Sequence, residues 1–281
     1  MDLFSRRYSL TIGDTKITGL KGEGLQIQFR VSKSTQKDPN TAEIKVTNLS
    51  GDTRARLQGK GKPVILAVGY GDQESVIFSG DSRTILHTRT GPTWLTAIKS
   101  GDGEKAFALN KIHKSYAAGT PVSQVLRDAV GALAVNAGNL ESALAKTPRK
   151  GLTTFTRGYT ASGDAGEVVA SLAKSLGLNM SIQNGALQFL DSAGTAPGQA
   201  VLLTPDTGLI GSPAFSTPEK EKKGQGLKLI AKSLLQPEIV CGGQVEIRSE
   251  SVKGHFKVEH LEHSGDFRGA EWYTTIEAKA L

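Results

Sequence analysis

Apolar and polar positions alternate with period two along the opening part of the chain. Residues 8–12, 25–31, 42–47, 64–68, 75–79 and 93–98 each place apolar side chains on one face and polar ones on the other, the signature of half-buried strands. Gly13-Asp14, Gly22-Glu23-Gly24 and Asp38-Pro39-Asn40 punctuate them with residues that take turn torsions at little cost. Asn48-Leu49-Ser50, followed by Asp52 and Arg54 to Leu57, predicts a short helix crossing between strands. Strands at this spacing predict a barrel or a sandwich.

The period then changes. After Thr120 as N-cap and Pro121 in the first turn, Val122, Val125, Leu126, Ala129, Val130 and Leu133 fall on one helical face. A second helix is predicted from Asp164, with Glu167 reaching back to close a capping box, burying Val168, Val169, Leu172, Ala173 and Leu176 and ending at Gly177. Residues 179–190 form two alternating runs joined by Asn184-Gly185, a strong hairpin signal. Residues 138–160 are expected to be an irregular connector. Alternation returns over 200–203, 227–230, 244–249, 254–261 and 272–278, which predicts a second β region. No tandem repeat is visible residue by residue. The expected organisation is α+β and mainly β: a β domain over 1–105, a helical and helix-hairpin middle over 106–198, and a β domain over 199–281.

With 281 residues, of which 38% are hydrophobic and 22% charged, the chain can bury a real core. No apolar run approaches the roughly 18 residues of a membrane span, and the start lacks a hydrophobic signal core, so a cytoplasmic product without membrane anchoring is expected. Cys241 is the single cysteine, which excludes an intrachain disulfide and is expected to be a buried, inert thiol. The net charge of +7 would suit a polyanion, but the one dense run, Glu219-Lys220-Glu221-Lys222-Lys223, mixes signs and reads as a solvated loop.

Candidate chemistry is sparse. His255, His260 and His263, with Glu259, Glu262 and Asp266, form the one cluster that could suggest a metal or acid–base site; in an extended strand His260 and His263 cannot share a face, so polar strand roles are the better reading. Gly22-Glu23-Gly24 and Gly59-Lys60-Gly61-Lys62 lack the frames of phosphate-binding loops and read as turns. No Gly-x-Ser-x-Gly elbow is present, and Asp102 and Glu104 flank Gly103 in a turn. Trp94 and Trp272 lie in strands, where an indole packs a core or an interface. Asn48-Leu49-Ser50 matches a glycosylation acceptor but has no secretory context. Catalytic, cofactor-binding and metal-binding residues are accordingly expected to be none, and no cofactor is expected.

Thr207-Gly208-Leu209-Ile210-Gly211-Ser212-Pro213, then Ser233 to Ile239, Gly243 to Ile247, Gly254 to Val258, and His260 to Asp266 with Trp272-Tyr273-Thr274-Thr275, resemble in order the closing β domain of phage baseplate hub proteins of the late control D type. Thr41 to Leu49, Val68-Gly69-Tyr70-Gly71, Ile77 to Gly80 and Ala97-Ile98 followed by Asp102-Gly103 are similar to that family's first tube domain, and Asp164 to Leu190 to its helix-hairpin, LysM-like module. Cys241 departs from the pattern, where relatives commonly carry proline. The resemblance implies two tube-type β-barrel domains per chain, a homotrimer presenting a pseudo-sixfold ring to the tail tube and a threefold surface to the spike, further baseplate partners, and DNA passing transiently through the lumen. It also implies a structural, non-enzymatic virion protein; a tail-associated peptidoglycan-binding or lytic protein, or the tail tube protein itself, is the alternative.

Overall fold

The computed structural model describes residues 5–20, 22–37, 39–147, 154–191, 194–216 and 227–281; the Glu219–Lys223 run lies outside them. In chain order the elements are β1 (Arg6–Ile12), β2 (Thr15–Leu20), β3 (Glu23–Gly24), β4 (Ile27–Ser34), β5 (Thr41–Thr47), α1 (Gly51–Leu57), β6 (Pro63–Tyr70), β7 (Gln73–Thr90) and β8 (Thr93–Gly101). Next come α2 (Glu104–Leu109), β9 (Lys111–Tyr116), α3 (Val122–Leu133), α4 (Leu140–Ala145), β10 (Tyr159–Asp164), α5 (Ala165–Ser175), β11 (Leu178–Gln183) and β12 (Ala186–Asp191). The chain closes with β13 (Val201–Leu203), β14 (Leu209–Ser216), β15 (Lys228–Leu234), β16 (Gln244–Arg248), β17 (Lys253–Asp266) and β18 (Trp272–Ala280). The protein is thus mainly β with few helices.

Packing divides the chain into two compact units: Met1–Ser34 with Asn40–Gly101 and Ala196–Leu281, and Thr35–Pro39 with Asp102–Thr195. In the second unit the α3 and α5 faces predicted from periodicity are buried together with β11 and β12. Asn184 and Gly185 both take positive φ in the predicted turn, as a tight hairpin of matching twist requires. Asp102, wholly buried, accepts hydrogen bonds from the backbone N–H groups of Asn184 (2.7 Å) and Gly185 (2.9 Å), so the carboxylate read as a turn residue locks the hairpin. Two predicted caps are not made. Thr120 donates its hydroxyl to the carbonyl of Ala117 and leaves Pro121 at the N-cap of α3, while Asp164 makes no side-chain cap bond and Glu167 pairs with Lys37 at 2.9 Å. The stretch 138–160, expected to be irregular, carries α4 and the start of β10.

In the first unit, 14 strands form one sheet whose main path runs β14-β15-β18-β17-β4-β5-β8-β7-β6-β1-β2-β3, with β16 branching from β17 and β13 from β16. The path is open at both ends rather than closed on itself. Both predicted β regions contribute to this sheet, joined where β17 pairs with β4, and two cores form, the first of which also takes in Leu235, Phe267 and Trp272 of the second region. One core is built on Leu10, Ile27, Ile44, Leu66, Phe78 and Ile98, the other on Leu229, Val245, Ile247, Val258, Leu261 and Ile276.

The strand order contains a repeat. β4-β5-β8-β7-β6 recurs as β14-β15-β18-β17-β16, with the same connectivity in sequence. The long strands β7 and β17 each bulge against the following strand, between Ser82 and Thr84 opposite Ser100 and Lys99, and between Val258 and His260 opposite Ala278 and Glu277. Superimposing the bulges aligns His87 with His263, Trp94 with Trp272, Thr96 with Thr274 and Ile98 with Ile276. Two independent contacts support that alignment. His87 Nδ1 lies 2.9 Å from Thr96 Oγ1 and His263 Nδ1 lies 2.9 Å from Thr274 Oγ1; the Asn48 N–H donates to the Trp94 carbonyl at 2.7 Å and the Leu235 N–H to the Trp272 carbonyl at 2.9 Å. β5 and β15 also share one burial pattern, alternating buried and exposed in the same phase.

Candidate functional site

The candidate functional surface is made of strand edges and the junction that shows how one of them is satisfied. The C-terminal half of β17, His260 to Asp266, pairs with β18 on one side and antiparallel to β4 on the other, His260 opposite Ser34 and Asp266 opposite Gln28. The loop after β17 then reinforces the join. Phe267 stands edge-on to Tyr8 at 4.7 Å, Trp272 edge-on to Phe29 at 5.2 Å, and the Arg6 guanidinium lies 5.4 Å from the Trp272 ring while donating to the carbonyls of Asp266, Gly269 and Ala270. Gly265 is glycine because a Cβ there would fall 2.4 Å from the Phe29 ring and 2.7 Å from Trp272. Burial opposes ionisation of Asp266, but donors from Gln28, the Arg268 and Gly269 N–H groups and Gln26 outweigh it and hold the carboxyl below its usual range.

The matching half-strand of β7, Thr84 to Thr90, has β8 on one side, and its ladder with β6 stops at Asp81. Among the described residues no strand pairs with its other side. β14 likewise pairs with β15 alone and leaves Ile210 (38%) and Phe215 (51%) exposed beside Ile230 (40%). Leu86, on the open half of β7, is 56% exposed. Edges carrying unpaired backbone groups and apolar side chains are templates for another chain. Periodicity could not reveal them: β14 is interrupted by Gly211 and Pro213, and the end of β7 alternates threonines with charged and mixed residues, so neither gave a strand signal at those positions.

The sequence-derived chemical candidates disperse. His263 faces the buried side and is 1% exposed; burial, with repulsion from Lys33 adding to it, drives its pKa down to about 3, so it is neutral. His260 lies on the other, half-exposed face, and His255 is exposed. Among the described residues no three His, Cys, Asp or Glu side chains gather closely enough to hold a metal. Cys241 is fully buried, and burial pushes its thiol up to about 12, which removes the reactive thiolate. Gly59 and Gly61 take positive φ in a turn, and Gly24 ends the two-residue β3. Asn48 also takes positive φ, and its side-chain oxygen accepts from the Trp94 N–H at 3.0 Å. A cleft of about 530 Å³ is lined by Gln199, Asp206, Thr207, Gln236, Glu238 and Gln244 among small and aliphatic residues, and the Thr207 hydroxyl donates to the Leu202 carbonyl at 2.8 Å. Such a lining can hydrogen-bond a polar group.

No family model and no curated protein matches the chain. Solved structures do match its fold. The 43 kDa tail protein of prophage MuSo2 from Shewanella oneidensis aligns with TM-score 0.68 at 11% identity over 98% of both chains. A tail protein from Neisseria meningitidis MC58 gives 0.64 at 8% identity over 98% of this chain and 97% of that one. The E. coli c3393 protein, a type VI secretion component described as similar to the T4 tail proteins gp27 and gp5, gives 0.61 at 11% identity over 97% of this chain and 76% of its own. The fold is therefore one shared by phage tail proteins and a type VI secretion component. No helix among the described residues is long and apolar enough to cross a membrane.

Proposed function

We propose that the chain is a structural hub subunit of a phage-type tail. Three copies, each carrying two equivalent strand sets, form a pseudo-sixfold ring that joins a sixfold tail tube to a threefold spike and leaves a lumen for DNA. The observation that carries this reading is the repeat of β4-β5-β8-β7-β6 as β14-β15-β18-β17-β16, with its duplicated bulge and histidine–threonine contact. A chain that presents the same surface twice can meet a partner of twice its own rotational order. The regions 1–105 and 199–281 then act as two tube domains, their sheets completing a barrel only in the assembled ring, with 106–198 between them. Phage tail proteins of the same fold support the placement in a tail, and in this role the tube, the spike and other baseplate proteins are the partners and catalysis has no part.

Light scattering on the purified protein is the direct test, with electron microscopy of the tail particle as its complement. A mass of three chains and density at the junction of tube and spike are expected. A strictly single-chain mass, with the protein missing from tails, overturns the reading.

A further inference from the structure

The repeat leaves two strand edges open, and the junction inside the chain shows what they fit. In the second repeat, His260 to Asp266 of β17 pairs with β4. By the bulge alignment, Thr84 to Thr90 of β7 is the same half-strand in the first repeat, and β14 occupies in the second repeat the place of β4 in the first. The chain therefore contains one copy of the junction already made, β17 on β4, and the two halves of a second copy, unmade: the open side of β7 and the open side of β14. Among the described residues these halves stand at opposite ends of the shared run β14-β15-β18-β17-β4-β5-β8-β7 and are not paired with each other.

We propose that the partner of these edges is a second copy of this chain, joined head to tail, with Thr84 to Thr90 of one copy pairing antiparallel to β14 of the next. The inference rests on the ring reading above and specifies the contact that builds it. The made junction dictates the register. Ser264 stands opposite Arg30, and Glu262 opposite Ser32. Ser264 and Glu262 align with Thr88 and Leu86. Arg30 and Ser32 pair with Glu43 and Thr41 of β5, whose counterparts on β15, Ile230 and Lys228, pair with Ala214 and Ser216. Thr88 thus falls opposite Ala214, Leu86 opposite Ser216, and His87 opposite Phe215. Pairing satisfies backbone groups on both edges and sets Leu86 on one face of the joined sheet beside Ser216 and Phe215 on the other beside His87, so each exposed apolar side chain gains a cross-strand neighbour. The interface is heterologous, so it propagates from copy to copy until the rotation closes.

Cysteine cross-linking of the full chain under mild oxidant tests the register. Cys241, being buried, stays out of the reaction. A chain carrying Thr88→Cys mixed with a chain carrying Ala214→Cys should give a two-chain disulfide species, each single variant alone should give none, and the double variant should give species up to three chains. Leu86→Cys with Ser216→Cys is the second pair, and Arg30→Cys with Ser264→Cys is the control, which should cross-link within one chain. If light scattering reports three chains but neither test pair links, or if a single variant links to itself, the pairing is overturned while the ring reading survives. If the variants and the native protein weigh one chain, both fall.

Discussion

Trp94 and Trp272 occupy the same position in the two strand repeats, each after the hairpin of its long strand, but their surroundings differ. Trp272 is 1% exposed, boxed by Phe29, Phe267 and Arg6 of the junction. Trp94 is half-buried, with the guanidinium groups of Arg54 at 3.9 Å and Arg89 at 6.0 Å from its ring. The connection between the long strand and the next is the two residues Gly91-Pro92 in the first repeat and the longer 267–271 loop with Phe267 in the second. One scaffold thus serves two ends. The second repeat uses its long strand to close onto the first, and the first leaves the equivalent strand open.

The comparison can be broken at several points. Trp272→Ala should destabilise by about 3–5 kcal/mol, the usual range for deleting a fully buried aromatic, whereas Trp94→Ala should cost less than half as much; urea denaturation midpoints decide it, and equal losses would mean that the two sites are equally packed. The histidines should differ in pH dependence. Burial holds the folded pKa of His263 at about 3, below its ordinary value of 6.5, so the unfolded chain binds the proton first. Its contribution is complete above about pH 6.5 and is lost progressively as pH falls towards 3. His87 is shifted in the same direction, by burial first, but is only half-buried. His263→Asn should therefore flatten the fall in stability between those pH values more than His87→Asn does, as followed by thermal unfolding across the range. Removal of the arginines should show the smallest contrast. Arg6→Ala, losing donations to three carbonyls of the junction loop, should cost about 1–2 kcal/mol, and Arg54→Ala, losing one donation to the Leu49 carbonyl and its stacking on Trp94, about 1 kcal/mol.

Much of the scaffold was legible before any coordinate. Residues 42–47 alternate so regularly that β5 is found to within a residue, and the α3 face from Val122 to Leu133 is buried in full. Asn184-Gly185 named its own turn because few other dipeptides accept two positive φ values cheaply. What hid was encoded without hydrophobic period. β2 is short and contains glycine, the last half of β7 sets His87 and Arg89 on the face that Ile85 begins, and β14 is broken by Gly211 and Pro213.

By itself, the sequence determined where strands and helices alternate, that the two ends of the chain are β and the middle is helical, and that His260 and His263 point apart, because each follows from local period and side-chain direction. Only the tertiary structure decided that the two β ends share one sheet and repeat one topology. A buried sheet position demands an apolar side chain of fitting volume, not a particular one, so Ala42 stands where Leu229 does, and Ile44 where Ala231 does, and the repeat survives in hydrogen-bond register after it has faded from the residues. Which edges stay open was likewise decided by pairing across the sheet, a long-range choice that no local pattern carries.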